Sequence, residues 1–166
     1  MPLKRTMEKA RRDKREGKSA STQAGDFVHE EIDKIRHGEH GARSTKQAIA
    51  IGLSEARRAG VDLPPPKRGQ ATDRTRKSAE YAYEAGQGRR RPKRRPGASR
   101  AVSKALKREP HRAASHKALS HQAHSAAARR TAGQRSTAAR KGARTKGAAG
   151  RSAAAKKAAR TRSRRK

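Results

Sequence analysis

The chain of 166 residues has no cysteine and no tryptophan, and only one phenylalanine and two tyrosines. Without cysteine there can be no disulfide framework, no thiolate nucleophile and no cysteine-based zinc site, and the redox compartment is left open. Large aliphatic side chains are also scarce. Val, Ile, Leu and Phe together number 13 of 166, about 8%, against the roughly 20% below which a highly charged chain is expected to be disordered. One conventional hydrophobic core is excluded. Most of the nominal 30% hydrophobic content is alanine, which lowers the cost of making helix but buries too little surface to offset chain entropy. No apolar run approaches the roughly 20 residues of a membrane span, and Met1 to Lys18 alternates charges instead of forming the apolar stretch of a secretion signal. A soluble, intracellular protein is expected.

What the chain has in excess is positive charge. Lys and Arg number 46 against 14 Asp and Glu, a formal net charge of +32. Self-repulsion of this size opposes compaction and draws the chain to polyanions, so nucleic acid, anionic membrane and acidic protein are the partner classes to consider. The charge is uneven. Residues 1–84 carry 19 basic and 13 acidic side chains, whereas residues 85–166 carry 27 basic side chains and one acid, Glu109. The change falls near Gly86.

In the first half, Ser44 and Gln47 have capping-box spacing, which predicts a helix from Ser44 to Ala59. Gly60 can turn left-handed after it, Val61 can fold back on Ala56, and Pro64, Pro65 and Pro66 forbid continuation. A preceding helix is expected from Ser21 or Thr22 to His37. Ala24, Phe27, Val28, Ile32 and Ile35 recur there at three-to-four-residue spacing, and Gly38 stops it. This stripe can meet Ile49, Leu53 and Ala56 in a helical hairpin, with Gly52 permitting close approach. Ile51 points away, toward a third helix around Thr72 to Ala85 containing Tyr81, toward a second copy of the chain, or toward solvent. A helix-turn-helix reader is disfavoured. The candidate reading helix offers Lys46, Gln47, Glu55, Arg57 and Arg58, with both arginines at its C-terminal end.

The stretch STQAGDFVHEEI, followed by HGARSTKQAIAIGLSEARRAGV, resembles a family of small basic bacterial proteins classed as a domain of unknown function. The likeness covers about residues 1–85. Members have carried labels such as DNA-binding or plasmid stabilization protein, so the resemblance implies a bacterial source and a nucleic-acid partner. It brings no catalytic or binding residues.

From Gly88 the sequence reads GRRRPKRRPG. Two prolines hold an extended backbone between Arg89, Arg90, Arg91, Lys93, Arg94 and Arg95, which could follow a groove. It partly resembles an AT-hook, but Arg90 stands where the core glycine belongs, and nonspecific phosphate contact is the expected role. Two short segments follow, Ser99 to Arg108 and Ser115 to Arg130, bearing Arg100, Lys104, Lys107, Arg108, Arg112, Lys117, Arg129 and Arg130. Helices this short are marginal in water, so these are expected to become helical when phosphates neutralise them. Beyond Arg130 the composition collapses to Ala, Gly, Ser, Thr, Lys and Arg, with Arg140, Lys141, Lys156, Lys157, Arg160, Arg162, Arg164, Arg165 and Lys166 as candidate phosphate contacts. This tail is expected to be disordered when free. By composition alone the second half resembles the tails of linker histones and histone-like bacterial proteins.

The expected architecture is mostly α: a basic segment over 1–20, a small helical hairpin or three-helix domain over 21–85, an Arg/Pro-rich linker over 86–98, a weakly helical basic region over 99–130, and a disordered tail over 131–166, so that the basic C-terminal half is largely disordered and only conditionally helical. Seven histidines, including His37 with His40 and His121 with His124 near His116, have permissive but unspecific metal spacing. The surrounding positive charge opposes a divalent cation. No nucleophile beside a base, no paired carboxylates in an apolar pocket and no phosphate-cradling glycine loop is recognisable. Tyr81 and Tyr83 lie on nearly opposite sides of their helix, which suits packing better than a base-stacking platform.

The sequence thus points to a non-enzymatic protein without cofactor or metal, binding DNA nonspecifically through phosphates as a histone-like, nucleoid-associated protein, with homo-oligomerisation through the N-terminal helices. RNA or ribosome association is the alternative. An anionic membrane or acidic protein ranks last, because no Trp, Phe or Leu face opposes the basic one.

Overall fold

In a computed structural model, the described residues are 2–91 and 96–164. They form helices α1 (Lys4–Arg15), α2 (Ala20–Arg36), α3 (Thr45–Arg58), α4 (Asp73–Gly86), α5 (Pro96–Lys107), α6 (His116–Ala128) and α7 (Ala132–Ser163), with a 3-10 turn at His111–Ala114 between α5 and α6. Among the described residues the only β pairing is an isolated bridge between Arg68 and Ala71. The chain clusters into two compact units, residues 1–122 and 123–166.

The hairpin α2–α3 forms as its sequence predicts. The Ser44 hydroxyl accepts from the Gln47 amide at 3.2 Å, and the Gln47 side chain reaches back to accept from the Arg43 amide at 2.9 Å, one residue earlier than a strict capping box. Gly60 takes φ +87°, and the Val61 amide donates to the Ala56 carbonyl, closing the C-terminus of α3. Gly52 is where the two helices touch. A Cβ there would lie 2.7 Å from the Val28 α-carbon, so any side chain would force the helices apart.

With so few large side chains, the core divides into two small clusters. One gathers Ala10, Ala24, Phe27, Ala56 and Val61, with Met7 and Leu53 at its edge. The other gathers Ile35, Ala42, Ala48, Ala113 and Ala114. α1 joins the first through Ala10, flanked by buried Thr6 and Asp13. Its attachment is largely polar. The Leu3 amide donates to the Glu30 carboxylate, Lys9 pairs with Asp26 at 2.6 Å, and Lys18 pairs with the buried Asp13 at 2.8 Å. α4 packs on α3 through Ala79 and Ala82. Its last residue, Gly86, lies against α3, and a Cβ there would stand 1.8 Å from the Arg57 carbonyl oxygen.

The second cluster is closed by residues far along the chain. The Gly41 amide donates to the Leu106 carbonyl, the Ala42 amide to the Pro110 carbonyl, the Thr45 hydroxyl to the Ala113 carbonyl at 2.7 Å, and Arg36 Nε to the Ala114 carbonyl at 2.9 Å. Residues 106–114 thus strap the turn end of the hairpin, although they lie in the basic half of the sequence. Ala113 and Ala114 carry no long side chain, which lets their backbone seat directly on α2 and α3.

The expectation of a largely disordered, conditionally helical C-terminal half is corrected. α5, α6 and α7 are helical in the free chain. Alanine heads the helix-propensity scale and Arg and Lys stand close behind it, so an Ala/Arg/Lys chain needs no buried face to favour helix once it is long and capped. Pro96 opens α5 at the first helical position, where its missing N–H costs nothing. Ser115 accepts from the Ala118 amide at the start of α6. Thr131 and Gln134 form a complete capping box at the start of α7.

Candidate nucleic-acid interface

The 14 acidic side chains of the chain are mostly consumed internally. Beyond the pairs that attach α1, Lys34 pairs with Glu30 and lies 3.7 Å from Glu55, His29 lies 3.0 Å from Asp33, Arg43 lies 3.7 Å from Glu109, and Arg90 lies 3.0 Å from Glu84. Burial works against ionisation of Glu30, but hydrogen bonds from Lys34, Thr6 and the Leu3 amide outweigh it and hold its pKa below the ordinary value. Glu31 is 1% exposed. Burial pushes its carboxyl above the ordinary range; His40, with Nε2 at 3.5 Å, pulls it down, and Glu55 adds to the rise. His40 Nδ1 lies 3.1 Å from the Gly41 carbonyl, which can only accept, so Nδ1 carries a proton and Nε2 faces the carboxylate. This buried web holds the hairpin together and offers no free anionic surface.

The candidate reading helix has lost most of its readers. Arg57 is buried, donating from Nε to the Leu63 carbonyl at 3.0 Å and from Nη2 to the Pro64 carbonyl at 3.2 Å, and burial lowers its pKa. It staples the start of the proline run to α3. Arg58 donates to Ser54, and Glu55 faces Lys34. Of the expected set, Lys46 and Arg58 remain exposed. The tyrosines are occupied as well. Tyr83 donates to Asp62 at 2.6 Å, a bond that raises the phenol pKa, and the Arg90 guanidinium lies 5.0 Å from the centre of the Tyr81 ring.

Of the cations singled out from sequence, Arg90 is therefore half-committed to Glu84 and Tyr81, while Arg89 and Arg91 are exposed in the turn after α4. Lys93, Arg94 and Arg95 lie outside the described residues, as do Arg165 and Lys166. Arg100, Lys104 and Lys107 project from the exposed face of α5, Arg108 follows that helix, and Arg129 and Arg130 stand in the turn between α6 and α7. On α7, Arg140, Lys141, Lys156, Lys157, Arg160 and Arg162 are all exposed, with Arg164 just after it. The structure thus places these last cations on helix, in two segments that meet at a break at Gly147, instead of on a loose tail. Four exposed cations of the same helix were missed by the sequence reading: Arg135, Arg144, Lys146 and Arg151. Scanning α7 for internal repetition would have found them. From Pro110 to the C-terminus there is no acidic residue and there are 17 Lys and Arg.

Residues 4–68 match a family of unknown function, DUF6496. The matched segment runs from the first residue of α1 through α3 and the proline run. It therefore contains the first core cluster but stops before the 106–114 strap and before the basic helices. No curated protein and no solved structure matches the chain. Among the described residues, no helix is long and apolar enough to cross a membrane.

Proposed function

We propose that this is a non-enzymatic DNA-binding protein of histone-like, nucleoid-associated type, which engages phosphates through its C-terminal helices. The observation that carries the reading is α7, a solvent-exposed helix bearing ten Lys and Arg and no acid. Among the described residues no acid stands on that helix, and a phosphate backbone would neutralise it with release of condensed counterions. Most acids of the N-terminal unit are paired within it. It serves to present the helices. Affinity comes from phosphates and not from base edges, since the exposed surface of α7 lacks Asn and aromatic side chains.

The test is binding of the full chain to a DNA duplex and to a structured RNA of equal length across a salt series. With about 6 to 10 phosphates neutralised, affinity should fall roughly a thousandfold to a hundred-thousandfold between about 50 and 200 mM salt. A flat salt response sinks the proposal. A clear preference for RNA replaces it with an RNA-binding role.

A further inference from the structure

α7 is two copies of one unit. Residues 132–147 and 148–163 agree at nine of sixteen positions, and two more exchange Lys for Arg. Arg135, Arg140, Lys141, Arg144 and Lys146 recur as Arg151, Lys156, Lys157, Arg160 and Arg162. The structure repeats with the sequence. Thr145 donates to the Lys141 carbonyl at 3.0 Å, and Thr161 to the Lys157 carbonyl at 3.0 Å. Arg135 reaches back to the Arg130 carbonyl in the turn before its unit, and Arg151 reaches back to the Ala143 carbonyl across the junction between units. The helix breaks at that junction, where Gly147 has φ 63° and ψ 179°. Only glycine takes this conformation without strain.

Within each unit the cations fall on two opposite sides. At 3.6 residues per turn, Arg135 and Lys146 are about three turns apart and share one side, while Arg140, Lys141 and Arg144 occupy the other. Arg151 with Arg162, and Lys156, Lys157 with Arg160, repeat the arrangement. A helix lying on a flat anionic surface has use for one charged side only. A helix lying in a groove between two phosphate strands has use for two. The major groove of B-form DNA, about 12 Å wide, admits a helix of about 10–12 Å diameter, and the A-form groove of duplex RNA does not. Each unit is about 24 Å long, whereas an unbroken helix of both would run about 48 Å straight and leave a groove that winds around its axis every 34 Å or so.

We propose that each sixteen-residue repeat of α7 is a separate major-groove module, contacting phosphates of both strands, and that the break at Gly147 lets the two modules follow one groove of B-form DNA. This rests on the DNA-binding reading above and narrows it from polyanions at large to duplex DNA read through its groove width.

The experiment uses the full chain and a 30-base-pair duplex, with salt titration of affinity and methylation protection at guanine N7 in the major groove. The key variant is Ala149→Arg, Arg151→Ala, Ala153→Arg, Arg162→Ala. It keeps composition and net charge but brings all five cations of the second repeat to one side. No residue of α7 is buried, so the exchanges remove no core side chain, and circular dichroism reads the helix directly. The expected result is a fall of about 2 in the slope of log affinity against log salt, from losing about two phosphate contacts, together with protection shortened at one end. A second variant, Ala153→Arg with Arg162→Ala, keeps Arg151 at the junction and should lower the slope by about 1. On duplex RNA, whose groove does not admit the helix, the rearrangement should not lower the slope. If the rearranged chains bind DNA like the wild type, with the slope and protection unchanged, DNA binding stands and the two-sided module is overturned. If the wild type shows no salt-dependent binding, both readings fall.

Discussion

The Gly41 backbone lies so close to Glu109 that a Cβ on Gly41 would stand 1.8 Å from the Glu109 carbonyl oxygen. This contact seats residues 106–114 on the hairpin. Gly41→Ala should therefore lift the strap, uncover Ile35 and Ala48, and cost about 1–3 kcal/mol, read as a lower urea midpoint with faster amide exchange at Ala42. Gly25→Ala is the control. A Cβ at Gly25 meets nothing within 4 Å, so alanine there should stabilise α2 by about 0.5–1 kcal/mol.

Arg57→Met keeps the volume of the side chain but leaves the Leu63 and Pro64 carbonyls without their donor. The loss should be about 1–3 kcal/mol, and limited proteolysis should begin to cut between Asp62 and Arg68. DNA affinity should be unchanged. Loss of affinity would return Arg57 to the binding surface and contradict its role as a staple.

Two neighbouring carboxylates should give stability profiles of opposite sign. Glu31, raised chiefly by burial, has a folded pKa above its unfolded one, so its contribution is full at low pH and is lost as pH rises through the folded value. Glu30 is lowered despite burial, so its contribution is present above the unfolded pKa and is lost as pH falls. Glu31→Gln should accordingly raise the melting temperature near about pH 7 and change little near about pH 3. Glu30→Gln should lower it near about pH 7 and change little near about pH 3.

Thr131→Ala removes the hydroxyl that accepts from the Gln134 amide, and should cost the start of α7 about 1 kcal/mol. The measurement is amide exchange at Gln134 and Arg135, with loss of protection confined to the first turns of the first repeat.

The hairpin was legible in the sequence because its signals are local. Ser44, Gly52 and Gly60 each act on neighbours or on a facing helix, and a residue type with one special property announces itself. The 106–114 strap was not legible, because Ala113 and Ala114 are bound through their backbone carbonyls by Thr45 and Arg36, and a backbone contact leaves almost no mark on side-chain pattern. The helicity of the basic half was misjudged for a different reason. Scarcity of buried surface argues for disorder, and the helix propensity of alanine summed over 32 residues outweighs it. Of the interface, the identity of the charges could be read, but their two-sided arrangement became visible only once Gly147 divided the helix.

The strap also sets an order of events during synthesis. α3 ends at Arg58, yet the alanines that cover Ile35 and Ala48 lie more than fifty residues later. At about 5–20 residues per second the ribosome needs roughly 3 to 11 s to deliver them. In that interval the nascent hairpin shows an uncovered apolar end while the arginine-rich stretch after α4 leaves the tunnel beside ribosomal RNA. A chain truncated before Leu106 stays in that state, so any fragment meant to report on the N-terminal unit alone has to extend past the strap.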